Sequence, residues 1–189
     1  MTGLARFADD PFRALQEIEH RSRQVSGRIG SSVAGARGEW VGLGFRFGTH
    51  RFTAPRDEVR EVLVCPPLTR IPGAKPWLRG VGNLRGTLLP VTDLAYLMEG
   101  RATALRGHAT RVVVLRHPSF AAGFLVEEVF GFQQFIADQA VPPPADLPAP
   151  CREFVTGAYR QEETWPVISL QALADSQVFQ NAADREYLM

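Results

Sequence analysis

From Trp40 to Phe47 apolar residues fall on every second position: Val41, Leu43, Phe45 and Phe47 point one way, Gly42, Gly44 and Arg46 the other. A period of two predicts a strand with one face in a core. Gly48-Thr49-His50 then predicts a turn, and residues 51–54 a partner strand. Residues 59–65 predict another short strand, closed by Pro66-Pro67. Ile71-Pro72-Gly73 carries Pro and Gly in the order of a type II turn. Residues 80–86 read as a glycine-punctuated crossing and 87–91 as a strand, after which Asp93 caps a short helix that runs to Met98 and ends at Gly100.

A polar gap at 101–110 precedes a second β-rich half. Residues 111–115 predict a β-branched strand, Pro118-Ser119 a turn, and 120–135 two strands. Residues 141–150 predict an extended, proline-rich loop. Residues 154–159 and 164–168 predict a hairpin across 161–163, and Ser169 caps a last helix carrying Leu170, Leu173 and Val178 or Phe179. Many short strands at close spacing, with a short helix between the halves, predict two small barrels and not a parallel α/β sheet. No repeat relates the halves.

Residues 1–39 follow a different period. Asp10-Pro11 starts a helix on which Phe12, Leu15, Ile18, Val25 and Ile29 recur at mostly helical spacing. Gly30-Ser31-Ser32 and the glycines at 35 and 38 form a flexible linker. Two roles are open for this amphipathic helix, a cap on the body or a docking element for a partner. The expected layout is helix and linker at 1–39, a main domain at 40–180 and a tail at 181–189.

Charge and chemistry narrow the function. With 21 basic and 20 acidic residues the net charge is +1, so the Lys and Arg surplus that displaces phosphate counterions is missing. No polybasic membrane patch, no signal-peptide core and no apolar run near the roughly 20 residues of a spanning helix is present. A cytoplasmic protein without direct membrane insertion is expected. Cys65 and Cys151 form no CxxC pair, and His20, His50, His108 and His117 are not spaced for a shared helical metal face. Glu127-Glu128 and Glu162-Glu163 are neighbours, whose side chains oppose each other on a strand, so they read as solvated turn or edge charges. Residues 80–86 lack the Gly-Lys-Ser/Thr ending of a phosphate loop, and Ser119 has no nucleophile elbow. Arg79 and Arg85 near Trp77 keep a small single-stranded nucleic-acid platform in view as a rival of another class. No enzyme, cofactor or metal is expected.

Residues 71–94 carry Ile71-Pro72-Gly73, then Arg79-Gly80-Val81, Asn83-Leu84-Arg85-Gly86, Leu89-Pro90 and Asp93-Leu94. In this order they resemble the signature of the CheW family of chemotaxis coupling adaptors. Val59-Arg60-Glu61-Val62 upstream is similar to that family's valine-x-glutamate strand. Gly123 to Val129 is similar to its glycine-x-x-valine-aspartate-x-valine strand, with Glu127 where aspartate is usual. The resemblance spans roughly residues 40–175. It implies two five-stranded SH3/OB-like barrels and no catalysis. It also implies two partners, the cytoplasmic tip of a methyl-accepting chemoreceptor and the regulatory domain of a CheA-type histidine kinase. Lys75-Pro76-Trp77, Ala54-Pro55 and the N-terminal extension look most like the PilI branch, which serves type IV pilus (twitching-motility) systems; a swimming-chemotaxis adaptor is the alternative. Carried over from the family, Arg85, Glu61, Val59, Gly80 and Asn83 are the candidate protein-binding residues. Glu61 either orients Arg85 or meets the receptor itself. The glycines at 80, 82 and 86 serve turn geometry or close approach of a partner.

Overall fold

The computed structural model describes residues 39–104 and 110–182; the helix expected at 10–29 and its linker lie outside the described residues. Among the described residues eleven strands form two mixed sheets. Sheet A holds β1 (Glu39–Phe47), β2 (His50–Pro55), β8 (Glu128–Ile136), β9 (Ala140–Val141), β10 (Val155–Arg160) and β11 (Thr164–Ile168), in the order β8-β1-β2-β11-β10-β9. Sheet B holds β3 (Val59–Val64), β4 (Leu78–Leu84), β5 (Thr87–Asp93), β6 (Arg111–Leu115) and β7 (Gly123–Val126), in the order β3-β6-β7-β5-β4. The mainly β class is as expected, but the partition is not one barrel per half of the sequence. Sheet A takes two strands from before sheet B and four from after it. Periodicity assigns strands but not partners, so this interleaving was hidden.

Both ladders stay open and both sheets curl. In sheet B, β3 and β4 are opposite edges, yet the chain after β3 pairs across at Thr69 and Val81. Each sheet uses one parallel pairing, β11 with β2 at Val167 and Thr53, and β5 with β7 over Val91 to Asp93.

Among the described residues three apolar clusters follow from this curling. The main one lies between the sheets, where Leu43, Phe45, Phe47 and Phe52 meet Val113, Leu115, Phe124 and Val126. Alternation on β6 sends Val112 and Val114 into a second cluster inside sheet B, with Leu89, Val91 and Leu125. Trp40, Phe135, Trp165 and Val167 fill sheet A. The inward set expected on β1 is buried at Leu43, Phe45 and Phe47, whereas Val41 is only half-buried.

Among the described residues four short α-helices seal the ends: α1 (Leu94–Glu99), α2 (Ala149–Arg152), α3 (Leu170–Asp175) and α4 (Gln177–Gln180). Asp93 caps α1 by accepting from the Tyr96 N–H, and Gly100 ends it in the left-handed conformation. The proline-rich loop is not extended throughout, since its last residues coil into α2. The last helix is broken at Ser176, which caps α4. There Phe179 stacks on Trp77 at 6.0 Å and tilts against Phe124 at 5.5 Å. No helix among the described residues is long and apolar enough to cross a membrane.

Candidate functional site

β4 and β5 form a hairpin closed by the two residues Arg85-Gly86, with Leu84 facing Thr87. Both turn residues have positive φ, 51° at Arg85 and 85° at Gly86, the signature of a type I′ turn. The expected crossing at 80–86 is therefore a strand and a tight turn. Among the described residues Arg85 is the one non-glycine with positive φ. A side chain in that region costs about 1–2 kcal/mol. The Asn83 side chain offsets part of this, its Oδ1 accepting from the Gly86 N–H at 2.8 Å.

Arg85 projects from the turn with 79% of its side chain exposed. Its guanidinium donates to the Glu61 carboxylate at 3.1 Å, and Glu61 is only 22% exposed. The pair joins β3 to the β4–β5 hairpin across the open mouth of sheet B. A surface ion pair adds roughly 0.2–1 kcal/mol; its larger effect is to hold the guanidinium in one direction. Beside it Leu88, opposite Asn83 in the hairpin, is 70% exposed. The turn thus presents a cation, a second polar side chain and a bare leucine together. The sequence reading missed Leu88; its signal was an apolar residue on the outward parity of Leu88-Leu89.

The five candidate residues divide. Arg85, Glu61 and Asn83 come together at the turn. Val59 does not: it is buried in the main core. Val59 and Glu61 would share a face on a regular strand. The register against β6 slips between them, with Val59 opposite Leu115 and Glu61 opposite Val114, so Arg60 forms a bulge and the two side chains diverge. Gly80 is also interior. A Cβ there would lie 2.3 Å from the Thr69 carbonyl oxygen, and its φ is 140°. The close approach at Gly80 is by the chain's own segment after β3. At Gly82 a Cβ would meet Pro66 at 2.6 Å.

Other charged residues settle into structural roles. Glu127 and Glu128 do not oppose each other, because they sit at the β7–β8 junction where strand alternation lapses; Arg46 binds both, Glu128 at 3.2 Å. Glu163 pairs with Arg51 at 3.0 Å. Asp93, fully buried, accepts also from the Thr103 N–H at 2.8 Å and the Thr103 hydroxyl at 2.7 Å. Glu58 went unnoticed in the sequence. It is buried in the 3₁₀ turn between β2 and β3 and accepts from the Leu170 N–H at 2.6 Å, the Ser169 hydroxyl at 2.9 Å and the Gln171 N–H at 3.1 Å. Burial pushes its carboxyl above the ordinary value of 4.5, against the pull of those three bonds.

The nucleic-acid platform does not assemble. Trp77 is buried against Phe179, and the Arg79 guanidinium lies 3.8 Å from the Asp93 carboxylate, so neither offers a face to a base. Among the described residues no group of three His, Cys, Asp or Glu is placed to hold a metal ion. Burial raises the thiol of Cys151, to about 12, and that of Cys65.

Comparison with known proteins bears on the family and the fold. A family model described as the CheW-like domain matches residues 41–178. Protein PilI of Pseudomonas aeruginosa is 39% identical over 92% of this chain and 96% of its own length. Protein FrzA of Myxococcus xanthus is 35% identical over 59% of this chain and 69% of its own. The chemotaxis protein CheW of Klebsiella aerogenes is 28% identical over 67% of this chain and 78% of its own. In fold, the chain superposes on the scaffolding protein TtCheW of Thermoanaerobacter tengcongensis with a TM-score of 0.62, covering 74% of this chain and 94% of that one at 22% identity.

Proposed function

The chain belongs to the CheW-like domain family, and from that premise we propose that it is a non-catalytic cytoplasmic adaptor coupling methyl-accepting chemoreceptors to a CheA-type histidine kinase in a type IV pilus chemosensory system. The observation that carries this reading is Arg85: a strained, exposed cation at the tip of a tight turn, aimed by Glu61 and flanked by Leu88. Backbone strain at an exposed residue points to function when the residue's own fold gains little from it. A guanidinium so placed offers two parallel donors to a carboxylate on a receptor tip, while Leu88 supplies apolar area that a partner would bury. The longer and higher similarity to PilI than to a swimming-chemotaxis CheW favours the pilus branch.

The test is Arg85→Glu. Because the side chain is exposed, stability changes by less than about 1 kcal/mol. Binding to a receptor cytoplasmic fragment weakens at least about ten-fold, since Glu61 and the new carboxylate now repel an acidic partner together. Binding to the kinase regulatory domain is spared. A folded variant that binds the receptor fragment normally overturns the assignment of this turn.

A further inference from the structure

β8 is an edge of sheet A, and on one face of it the apolar Phe132 and Ile136, exposed among the described residues, flank Gln134, which donates to Glu39 at 2.8 Å. Its register against β1 places Phe132 opposite Leu43, Gln134 opposite Val41 and Ile136 opposite Glu39. Paired residues share a face, so Phe132 and Ile136 join Val41 on one side of the sheet. Phe132 is 55% exposed and Ile136 42%, and Val41 is the one member of the β1 inward set left half-open. Arg56 lies over the Phe132 ring, 5.5 Å from its centroid, as a polar rim. An exposed apolar stripe on an edge strand is a site for association unless something covers it.

The chain itself brings an apolar segment to this place. Residues 1–38 join β1 at Glu39, whose partner is Ile136, one end of the stripe. Phe12, Leu15, Ile18, Val25 and Ile29 are spaced for one helical face. Nine residues from Gly30 to Gly38 reach up to about 30 Å when extended. The stripe from Phe132 to Ile136 is only about 13 Å long at strand rise. The tether therefore lets a helix fold back along β8. The similarity to PilI, moreover, spans so much of the chain that it extends well ahead of residue 41, where the family model begins. The segment goes with the pilus-type relative and not with the family domain. We propose that the helical face of residues 12–29 docks in cis on the Val41, Phe132 and Ile136 stripe, covering the β8 edge.

The test uses the full chain with Phe132 replaced by the photo-crosslinker p-benzoylphenylalanine, a substitution that an exposed ring position tolerates. A second chain carries the probe at Ile136. Illumination of a mixture of isotopically light and heavy chains, followed by peptide mapping, is expected to join the probe to residues 12–29 of the same chain. Leu15→Asp with Ile18→Asp should lower that product at least about ten-fold, since a charge replaces two apolar side chains on the docking face. Products joining light to heavy chains would assign the stripe to a second copy. With a kinase or receptor fragment added to the mixture, products joining the probe to that fragment and none to residues 12–29 would assign it to that partner. Either of these, or no peptide product at both probe positions, overturns docking in cis.

Discussion

Glu58→Ala tests how the two ends of the domain are held together. The carboxylate reaches across 112 residues of sequence to the start of α3, where it receives two backbone N–H groups and the Ser169 hydroxyl. Truncation leaves the Leu170 N–H buried without a partner, a loss of about 1–3 kcal/mol. The Gln171 N–H and the hydroxyl, only part-buried, recover much of theirs through water, and one desolvated charge is removed. The expected net destabilisation is about 1–3 kcal/mol, read from urea unfolding followed by the fluorescence of Trp40, Trp77 and Trp165. Glu58→Gln keeps one acceptor oxygen and separates geometry from charge. Since burial raises the folded-state value above 4.5, the folded protein holds the proton more tightly than the unfolded chain. The stability this proton contributes is complete below 4.5 and is lost as pH rises through the folded value. The advantage of wild type over Glu58→Gln should thus shrink as pH rises above 4.5, by roughly 1.4 kcal/mol for every tenfold difference in proton affinity between the folded and unfolded carboxyl. An advantage that grows with pH, or a Glu58→Ala protein within about 0.5 kcal/mol of wild type, refutes the reasoning.

Phe45, fully buried between the sheets, should cost about 3–5 kcal/mol when cut to Ala, as large buried rings do; a loss below roughly 1 kcal/mol by the same urea assay would place it outside the core. Cys151 is buried, with its thiol pushed up to about 12, so iodoacetamide at neutral pH should modify it only as fast as the domain opens. Mass spectrometry that finds Cys151 alkylated faster than Cys65 would contradict that burial.

Features set by neighbours in the chain were legible in the sequence. The β1–β2 hairpin followed from alternation and Gly48, the α1 cap from Asp93, the α3 cap from Ser169 and the turn at Gly73 from Pro72. Each depends on residues within four positions of one another. The rest depends on contacts that no local pattern records. Glu58 looks like an ordinary surface carboxylate in the sequence because its donors are backbone groups of a distant helix. Glu127 and Glu128 look opposed because strict alternation holds only within a strand, and β7 has ended there. The slip at Arg60 separates Val59 from Glu61, and a one-residue bulge leaves no trace in periodicity. At the turn, the motif located Arg85, but its positive φ and the neighbouring bare Leu88 came only with the structure.

The interleaving of the sheets also orders events during synthesis. All of sheet B lies between residues 59 and 126, so its five strands leave the ribosome together and in sequence. β1 and β2 emerge earlier but can form only a hairpin, with both outer edges bare. Their partners β8 and β11 arrive after sheet B is complete. A nascent chain that stalls after β7 would carry a finished sheet B and a hairpin presenting Leu43, Phe45, Phe47 and Phe52 without the later members of their cluster, among them Phe154, Ile168 and Leu170. Closing sheet A across that long insertion is the slow, high-contact-order step. The interval before β11 arrives is therefore when chaperone contact or mispairing with another chain's edge has its opportunity.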